Sequence, residues 1–422
     1  MKNIFLLCDK TVQCINTINA FDSSFKRFSE NDIYEIYIDD LESINSLQNH
    51  PKLKNDSIIV GSYAIIHNMS TANHSRFQAL KKIISNLNNT KYMFIQDEYY
   101  HVDKTVEMLN EMRVDVIFTV LTRDCDIKTV YKNIINKNTI YIKCLTGYID
   151  ENPIRYFKPI SDKPNGVLYR GRKLHPLYGL LGYYKFEIGY KIKQYITAQN
   201  INLAHDISSN NEDRIYGDWN EAMTNAKITL GTPSGSNVLN YNLTLHKNIN
   251  AKIDICGYGH LLQKNGKSYS DEQYIDTIKV ARSAVYIPES LSVNALSPKM
   301  FEAISAGTVL VMLEGDDLCY SGILKPDKHY IPMKRDYSNI DEVMNKCMDD
   351  VYLQTLANTA YEDIVFSEKY SFRTFIKSFD HLVHNLNLLP NNIYNINDFD
   401  NIINNILPHN RSTRHSNITL YA

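Results

Sequence analysis

Residues 294–315, NALSPKMFEAISAGTVLVMLEG, decide the fold of this chain. Ser297 followed by Pro298 predicts a helix start, because serine can cap the first turn and proline lacks an N–H that would be unpaired there. Gly307 fits the position just after the helix end, where φ is often positive. The nearly continuous apolar run at 308–313 then predicts a central strand of a parallel sheet.

The same helix indicates a binding site for a nucleotide diphosphate. The N-terminus of a helix that follows a polar loop attracts anions such as phosphate. Glu302 lies about one turn further along, where its carboxylate can accept hydrogen bonds from the hydroxyl groups of a ribose. The alternative is an ordinary helix–strand unit in which Glu302 faces solvent.

Length and composition limit the classes of protein to consider. A chain of 422 residues is too long for one ordinary core and predicts two domains. Its hydrophobic fraction of 44% and charged fraction of 22% are typical of soluble globular proteins. A net charge of -2 provides no overall field that would attract nucleic acid, so we expect no nucleic-acid partner.

The N-terminal sequence MKNIFLLCD has a short apolar core, which predicts a first β-strand rather than a signal peptide. No run approaches the roughly 20 apolar residues of a membrane span. We therefore expect a cytoplasmic protein, and peripheral contact with the inner face of the membrane stays open. The seven cysteines are scattered and include no Cys-x-x-Cys pair, so we expect reduced thiols and no zinc site.

Strand and helix patterns alternate in two series, which predicts two parallel sheets covered by helices. The first series has strand-like runs at 3–7, 34–38, 57–60, 92–95, 114–120 and 139–142. The second has them at 166–169, 201–205, 227–230, 252–256, 284–287 and 308–313. Three prolines within 151–165 indicate a linker between the series. We expect domains at 1–155 and 156–385, the second ending in helices, and an Asn-rich tail at 386–422.

Two polar segments of the second series follow predicted strands. Gly171 would allow close backbone approach, while Arg170 and Arg172 beside it would neutralise charge on a departing diphosphate. Ser234 and Gly235 belong to a loop of small residues suited to phosphate or sugar. The alternatives are a solvated basic turn and an ordinary surface turn.

In the first series, Asp97 and Glu98 follow the fourth predicted strand. Either carboxylate could act as general base for an acceptor hydroxyl or position the acceptor. The alternative is a helix start, with Asp97 as cap and Glu98 in the first turn. The chain has no Gly-x-Gly-x-x-Gly fingerprint and no P-loop motif, which argues against an NAD-dependent enzyme and a P-loop NTPase.

Taken in order, several segments over roughly residues 90–345 resemble the GT-B-fold glycosyltransferases that bacteria encode with surface-polysaccharide genes. The segments are QDEY at 96–99, TGY at 146–148, YRGR at 169–172, EDRIYG at 212–217 and SPKMFEA at 297–303. In that family a glutamate before an alanine binds the ribose of the donor, which corresponds to Glu302. The helix N-terminus faces the diphosphate, which implies roles for Ser297 and Lys299.

The resemblance implies a GT-B fold, with two Rossmann-like domains facing across a cleft. It implies transfer of a sugar from a nucleotide diphosphate donor to a glycan or lipid-linked acceptor, with no metal or other cofactor. Asn294 stands where many retaining members carry a second glutamate, so the anomeric outcome stays open. Asp124 and Asp126 match the Asp-x-Asp metal signature of GT-A enzymes, although Asp126 more simply caps a helix at 127–135.

Two other functions remain compatible with these residues. A nucleotide-sugar epimerase of the same fold would convert the sugar without an acceptor. A non-catalytic subunit that binds nucleotide sugar would fit the departures at Asn294 and at Pro233, where an acidic residue often stands in relatives.

Overall fold

The structure is a computed structural model that describes residues 1–12, 16–63, 75–150, 157–215, 217–241, 244–253, 261–264, 266–291, 295–314 and 320–398. It contains two parallel sheets, each covered by helices. The expected pair of Rossmann-like domains is therefore present.

The first sheet has the strand order β14-β6-β5-β4-β3-β1-β2, and every pairing is parallel. Its strands are β1 (Asn3–Cys8), β2 (Asp32–Tyr37), β3 (Ile58–Gly61), β4 (Thr90–Ile95), β5 (Val116–Thr119), β6 (Ile140–Lys143) and β14 (Ile393–Asn395). The first six overlap the runs predicted from the sequence.

The second sheet has the order β13-β12-β9-β7-β8 and is also parallel. Its strands are β7 (Asn165–Arg170), β8 (His205–Ser208), β9 (Ala226–Gly231), β12 (Val309–Leu313) and β13 (Tyr330–Met333). A separate short hairpin pairs β10 (Gln263–Lys264) with β11 (Lys267–Ser268). The run predicted at 308–313 is β12, a fully buried interior strand between β13 and β9.

The α-helices are α1 (Asn16–Phe28), α2 (Leu41–Gln48), α3 (Ser75–Asn86), α4 (Val102–Glu111), α5 (Asp124–Val130), α6 (Gly179–Ala198), α7 (Trp219–Thr224), α8 (Thr244–Ile253), α9 (Asp271–Ala284), α10 (Pro298–Ser305), α11 (Ile340–Cys347), α12 (Asp350–Ala360) and α13 (Phe372–Asn385). A π-helical turn, Tyr361–Phe366, follows α12. None of the described helices is long and apolar enough to cross a bilayer.

Two predicted strands of the second series were wrong. Residues 252–253 end α8 and residue 284 ends α9, while 254–256 lie outside the described residues. Ile249 and Ala281 of these helices share an apolar cluster with Tyr99 and Tyr100 of the first domain. Their apolar residues are buried against another domain, and burial of this kind gives short apolar runs that resemble strands.

The C-terminal part of the chain returns to the first domain. The rings of Phe375 and Phe379 pack edge-on against Phe25 of α1, with centroids 6.3 and 5.1 Å away. Strand β14 pairs with β6 at the edge of the first sheet. The sequence-based boundary at 385 placed α13 in the second domain and separated a tail from it, whereas the described chain continues into the first sheet through residue 395.

The domains also meet where α10 begins. Thr146 Oγ1 donates a hydrogen bond to the carbonyl oxygen of Leu296. A Cβ atom on Gly147 would lie 3.0 Å from the ring of Pro298, so the absence of a side chain permits this close approach. The loop after β6 therefore closes directly onto the first turn of α10.

Candidate functional site

Helix α10 forms as the sequence predicted. Ser297 is its N-cap in extended conformation, although its side chain makes no capping hydrogen bond, and Pro298 takes the first helical position. At the other end Gly307 has a φ of 62°. The N–H of Gly307 donates to the Ile304 carbonyl and that of Thr308 to the Ala303 carbonyl, which is the Schellman pattern. These bonds end α10 just before strand β12.

A cavity of about 450 Å³ opens in front of this helix start. Ser297, Lys299 and Glu302 line it from α10 and its cap. Its described lining is strongly basic, and Glu302 is the one acidic side chain within it. The basic residues are Arg170, Arg172, Lys185, Arg214 and Lys299. A cavity with this charge, at a helix N-terminus, is suited to a diphosphate.

The Lys299 amine occupies an unusual environment for a cation. Its Nζ lies 4.5 Å from the ring centroid of Tyr169 and 5.1 Å from that of Trp219. Burial lowers its pKa to about 7, with Glu302 opposing the change and the neighbouring Arg170, Lys185 and Arg172 reinforcing it. A bound anion would restore the charge of this amine.

Lys185 is a second partly buried cation, and the sequence analysis missed it. It lies on α6 and lines both the 450 Å³ cavity and a neighbouring cavity of about 290 Å³. Burial lowers its pKa to about 8, and Arg172 acts in the same direction while Asp97 opposes it. One lysine in a long helix gives no local signal, since helices carry lysine mostly on their solvated faces.

The carboxylate of Glu302 is already oriented. Trp219 Nε1 donates a hydrogen bond of 2.9 Å to Glu302 Oε2, across 83 positions of sequence. Both side chains line the 450 Å³ cavity, and both also line a crevice of about 320 Å³ on another side of α10. Glu302 therefore lines the cleft, and its carboxylate is held by a hydrogen bond within the protein.

Arg170 lines the cavity, but its guanidinium has several partners within the protein. Its Nη2 lies 2.6 Å from Asp206 Oδ2, and its Nε donates to the Asp213 carbonyl oxygen at 2.7 Å. These bonds fix the loop that follows β8. Gly171 is packed closely, because a Cβ there would lie 2.4 Å from the Lys185 carbonyl oxygen. This contact brings β7 against α6 and places Lys185 at the cavity.

Asp97 lies in the 290 Å³ cavity together with Ser234, Gly235 and Lys185. Its backbone has a φ of 55°, a left-handed conformation that costs free energy for a residue with a side chain. Tyr99 Oη donates a 2.5 Å hydrogen bond to Asp97 Oδ1. Gly235 has a φ of 101°, and the Ser234 N–H donates to the Ala295 carbonyl, which joins this loop to the segment before α10.

Glu98 does not reach the cleft. It is 4% exposed and accepts hydrogen bonds from Thr119 Oγ1, Tyr131 Oη and the Val120 N–H. Burial raises the pKa of this carboxyl to about 7. The prediction that Glu98 contacts an acceptor is corrected: strand β4 ends at Ile95, and the turn that follows directs Asp97 outward and Glu98 into the core.

Two further predictions concern residues away from this centre. Asn294 lies outside the described residues. Asp126 is paired with Arg123 at 2.8 Å and Asp124 with Lys143 at 2.6 Å, so each carboxylate of the Asp-x-Asp has a basic partner. Helix α5 starts at Asp124 with Arg123 as its cap, which corrects the idea that Asp126 caps it. Within the described ranges, no group of three or more acidic, His or Cys side chains is arranged to hold a metal ion.

No family model and no curated protein matches this chain. Solved structures do match, at low identity. HepE from Anabaena in complex with UDP-glucose is 10% identical, with a TM-score of 0.46, over 92% of this chain and 100% of that one. Sucrose-phosphate synthase from Thermosynechococcus elongatus is 10% identical, with a TM-score of 0.44, over 92% of this chain and 99% of that one.

The pneumococcal O-GlcNAc transferase GtfA in complex with UDP and GlcNAc gives 8% identity and a TM-score of 0.38, over 82% of this chain and 60% of that one.

The two parallel sheets of this chain meet across a cleft that both domains line. This is the GT-B architecture.

Proposed function

We propose that this protein is a glycosyltransferase that moves a sugar from a nucleotide diphosphate donor to a glycan or lipid-linked acceptor. One observation carries the proposal: the first turn of α10, a group of basic side chains and the carboxylate of Glu302 all line one 450 Å³ cavity. A donor nucleotide has the matching pair of features, a dianionic diphosphate and a ribose with neutral hydroxyl groups.

The diphosphate would lie against the start of α10, near Ser297, Lys299, Arg172 and Lys185. Cleavage of the bond between sugar and phosphate places negative charge on the leaving diphosphate, and fixed cations around it lower the barrier. Partly buried amines are effective in this role because the cleft screens their charge less than bulk water does. We propose that these groups replace a metal ion. Arg170 would act indirectly, by holding the loop after β8.

The sugar and acceptor would occupy the 290 Å³ cavity, which shares Lys185 and Ser234 with the diphosphate cavity. Asp97 would be the general base for the acceptor hydroxyl, or would position it, because it is the one carboxylate among the described lining residues. Gly235 and Ser234 would contact the sugar. The acceptor would belong to surface polysaccharide or glycoconjugate synthesis, as the sequence resemblance implies.

The first test is thermal unfolding of the full chain with UDP, GDP, CDP, ADP, TDP and CMP. A ligand at about 100 times its Kd adds about 2.7 kcal/mol to native-state stability, which raises the midpoint by several degrees. We expect a shift with at least one diphosphate, and loss of that shift in Glu302→Gln. Glu342→Gln is the matched control, since Glu342 is 63% exposed on α11.

The second test is product analysis with the nucleotide sugars of the base so identified. A transferase hydrolyses the donor slowly without an acceptor and faster with one, whereas an epimerase converts the sugar and releases no nucleotide. Asp97→Asn should reduce transfer while leaving nucleotide affinity within about threefold, because only the acceptor side loses a group. If none of the six nucleotides binds, the proposal is contradicted.

A further inference from the structure

Lys299 and Glu302 stand three positions apart on α10, a spacing at which lysine and glutamate commonly form an ion pair. No ion pair joins their charged atoms among the ion pairs of the described residues, although the carboxylate still raises the pKa of the Lys299 amine through space. Trp219 contacts both side chains instead. Its indole N–H donates to Glu302 Oε2 at 2.9 Å, and its ring lies 5.1 Å from Lys299 Nζ.

This arrangement keeps the Glu302 carboxylate and the Lys299 amine from pairing with each other. The indole N–H is a neutral donor, so it holds one oxygen of Glu302 without placing an opposite charge beside the carboxylate. The π-face of Trp219, together with the ring of Tyr169 at 4.5 Å, attracts the Lys299 amine and offers it no hydrogen-bond acceptor. The carboxylate and the amine therefore both remain available to a ligand.

We infer that Trp219 is a positioning residue that keeps Glu302 apart from Lys299, and that the site thereby selects ribonucleoside diphosphates over their 2′-deoxy forms. This inference rests on the proposed function. Without the indole N–H, the carboxylate would turn toward Lys299 and form the ion pair that its spacing favours. This one rotation of the Glu302 side chain would remove the acceptor for the ribose hydroxyls and would also occupy the Lys299 amine that binds the diphosphate.

Trp219 is the single tryptophan of the chain, so replacing tryptophan throughout the protein changes this position alone. The full chain can be produced with 3-benzothienylalanine in place of tryptophan, which keeps the two-ring shape and has sulfur where the N–H stood. This substitution changes one group at one position of the protein. Trp219→Phe is the genetic counterpart, and Glu302→Gln is the partner variant.

The probes are UDP, GDP, CDP and ADP, their 2′-deoxy forms, and inorganic pyrophosphate, all measured by titration calorimetry. We expect the wild type to bind one ribonucleotide at least tenfold more tightly than its 2′-deoxy form. The benzothienyl protein and Trp219→Phe should reduce that ratio to below threefold. Combining Trp219→Phe with Glu302→Gln should weaken binding no further than Glu302→Gln alone, because both changes remove the same contact.

A pH profile separates positioning from general structural support. Pairing with Glu302 would raise the pKa of the Lys299 amine, so the benzothienyl protein should bind pyrophosphate with a pH midpoint shifted upward relative to the wild type. An unchanged ratio and midpoint in a folded benzothienyl protein would overturn the role of Trp219 and leave the proposed function standing. Failure of the wild type to bind any of the nucleotides would overturn both.

Discussion

The affinity for nucleotide should fall as the pH rises from 7 to 9. In the free protein, burial lowers the pKa of Lys299 to about 7 and that of Lys185 to about 8. Well below pH 7 both amines carry their protons. As the pH rises through these values the free protein releases the protons, and a bound diphosphate must draw them back. Binding is therefore coupled to proton uptake above pH 7.

The size of the effect follows from the two pKa values. At pH 9 about 1 in 100 molecules has a charged Lys299 and about 1 in 10 a charged Lys185, if the two titrate independently. Where both amines are fully charged in the complex, the dissociation constant at pH 9 exceeds that at pH 6.5 by up to about 1000-fold, or about 4 kcal/mol. The terminal phosphate has a pKa near 6 and contributes little above pH 7.

Titration calorimetry between pH 6.5 and 9.5, in buffers of different ionisation enthalpy, measures both the affinity and the protons taken up. The control is Lys299→Arg, because a guanidinium stays charged throughout this range. In that variant we expect about a tenfold loss by pH 9, owed to Lys185 alone. A wild-type affinity that stays constant from pH 7 to 9, with no proton uptake, would refute the assignment of these amines to the diphosphate.

Three further outcomes follow from contacts at and near the site. Lys163→Met removes donors to the Ala306 carbonyl at the end of α10, so we expect urea denaturation to show a loss of about 1–3 kcal/mol. In the folded protein the pKa of Lys163 is lowered to about 8, so above that pH the unfolded chain binds more protons than the folded one. The stability of the wild type should therefore rise between pH 8 and 10, and the variant should lack this rise. Glu98→Gln should leave nucleotide affinity unchanged. The raised pKa of Glu98 makes the native state bind more protons than the unfolded state, so wild-type stability should fall relative to the variant as the pH rises from about 4.5 to 7. Denaturation curves of both proteins, measured side by side across this range, check the prediction. Arg170→Ala should reduce binding and turnover together, since the guanidinium holds Asp206; a loss confined to turnover in steady-state kinetics would instead indicate direct contact with the leaving group.

Local chemistry made α10 predictable from the sequence. A serine–proline start and a glycine end each act within a few residues, so the chain's own neighbours determine them. The position of Glu302 relative to the helix start followed from helical geometry alone. Strand β12 was predictable for the same reason, since an apolar run of that length after a helix stop has few other uses in an α/β protein.

The residues that complete the site depend on long-range packing. Trp219 donates a hydrogen bond to Glu302, 83 positions later in the chain, and no feature of the sequence around residue 219 predicts that contact. Lys185 reaches the cleft because Gly171 lets β7 approach the α6 backbone. The roles of Asp97 and Glu98 were indistinguishable in sequence, since a single turn decides which of two adjacent carboxylates enters the core.

The return of the chain to the first sheet has a consequence for synthesis on the ribosome. Asn391, just before β14, donates a hydrogen bond to the Lys137 carbonyl, 254 residues earlier in the chain. At about 5–20 residues per second, the ribosome needs about 13–50 s to make that stretch. Throughout this interval the nascent first domain lacks α13 over its aromatic face and leaves the edge of β6 open to pairing with other chains. Translation speed and chaperone capture in this window should therefore affect the yield of folded protein.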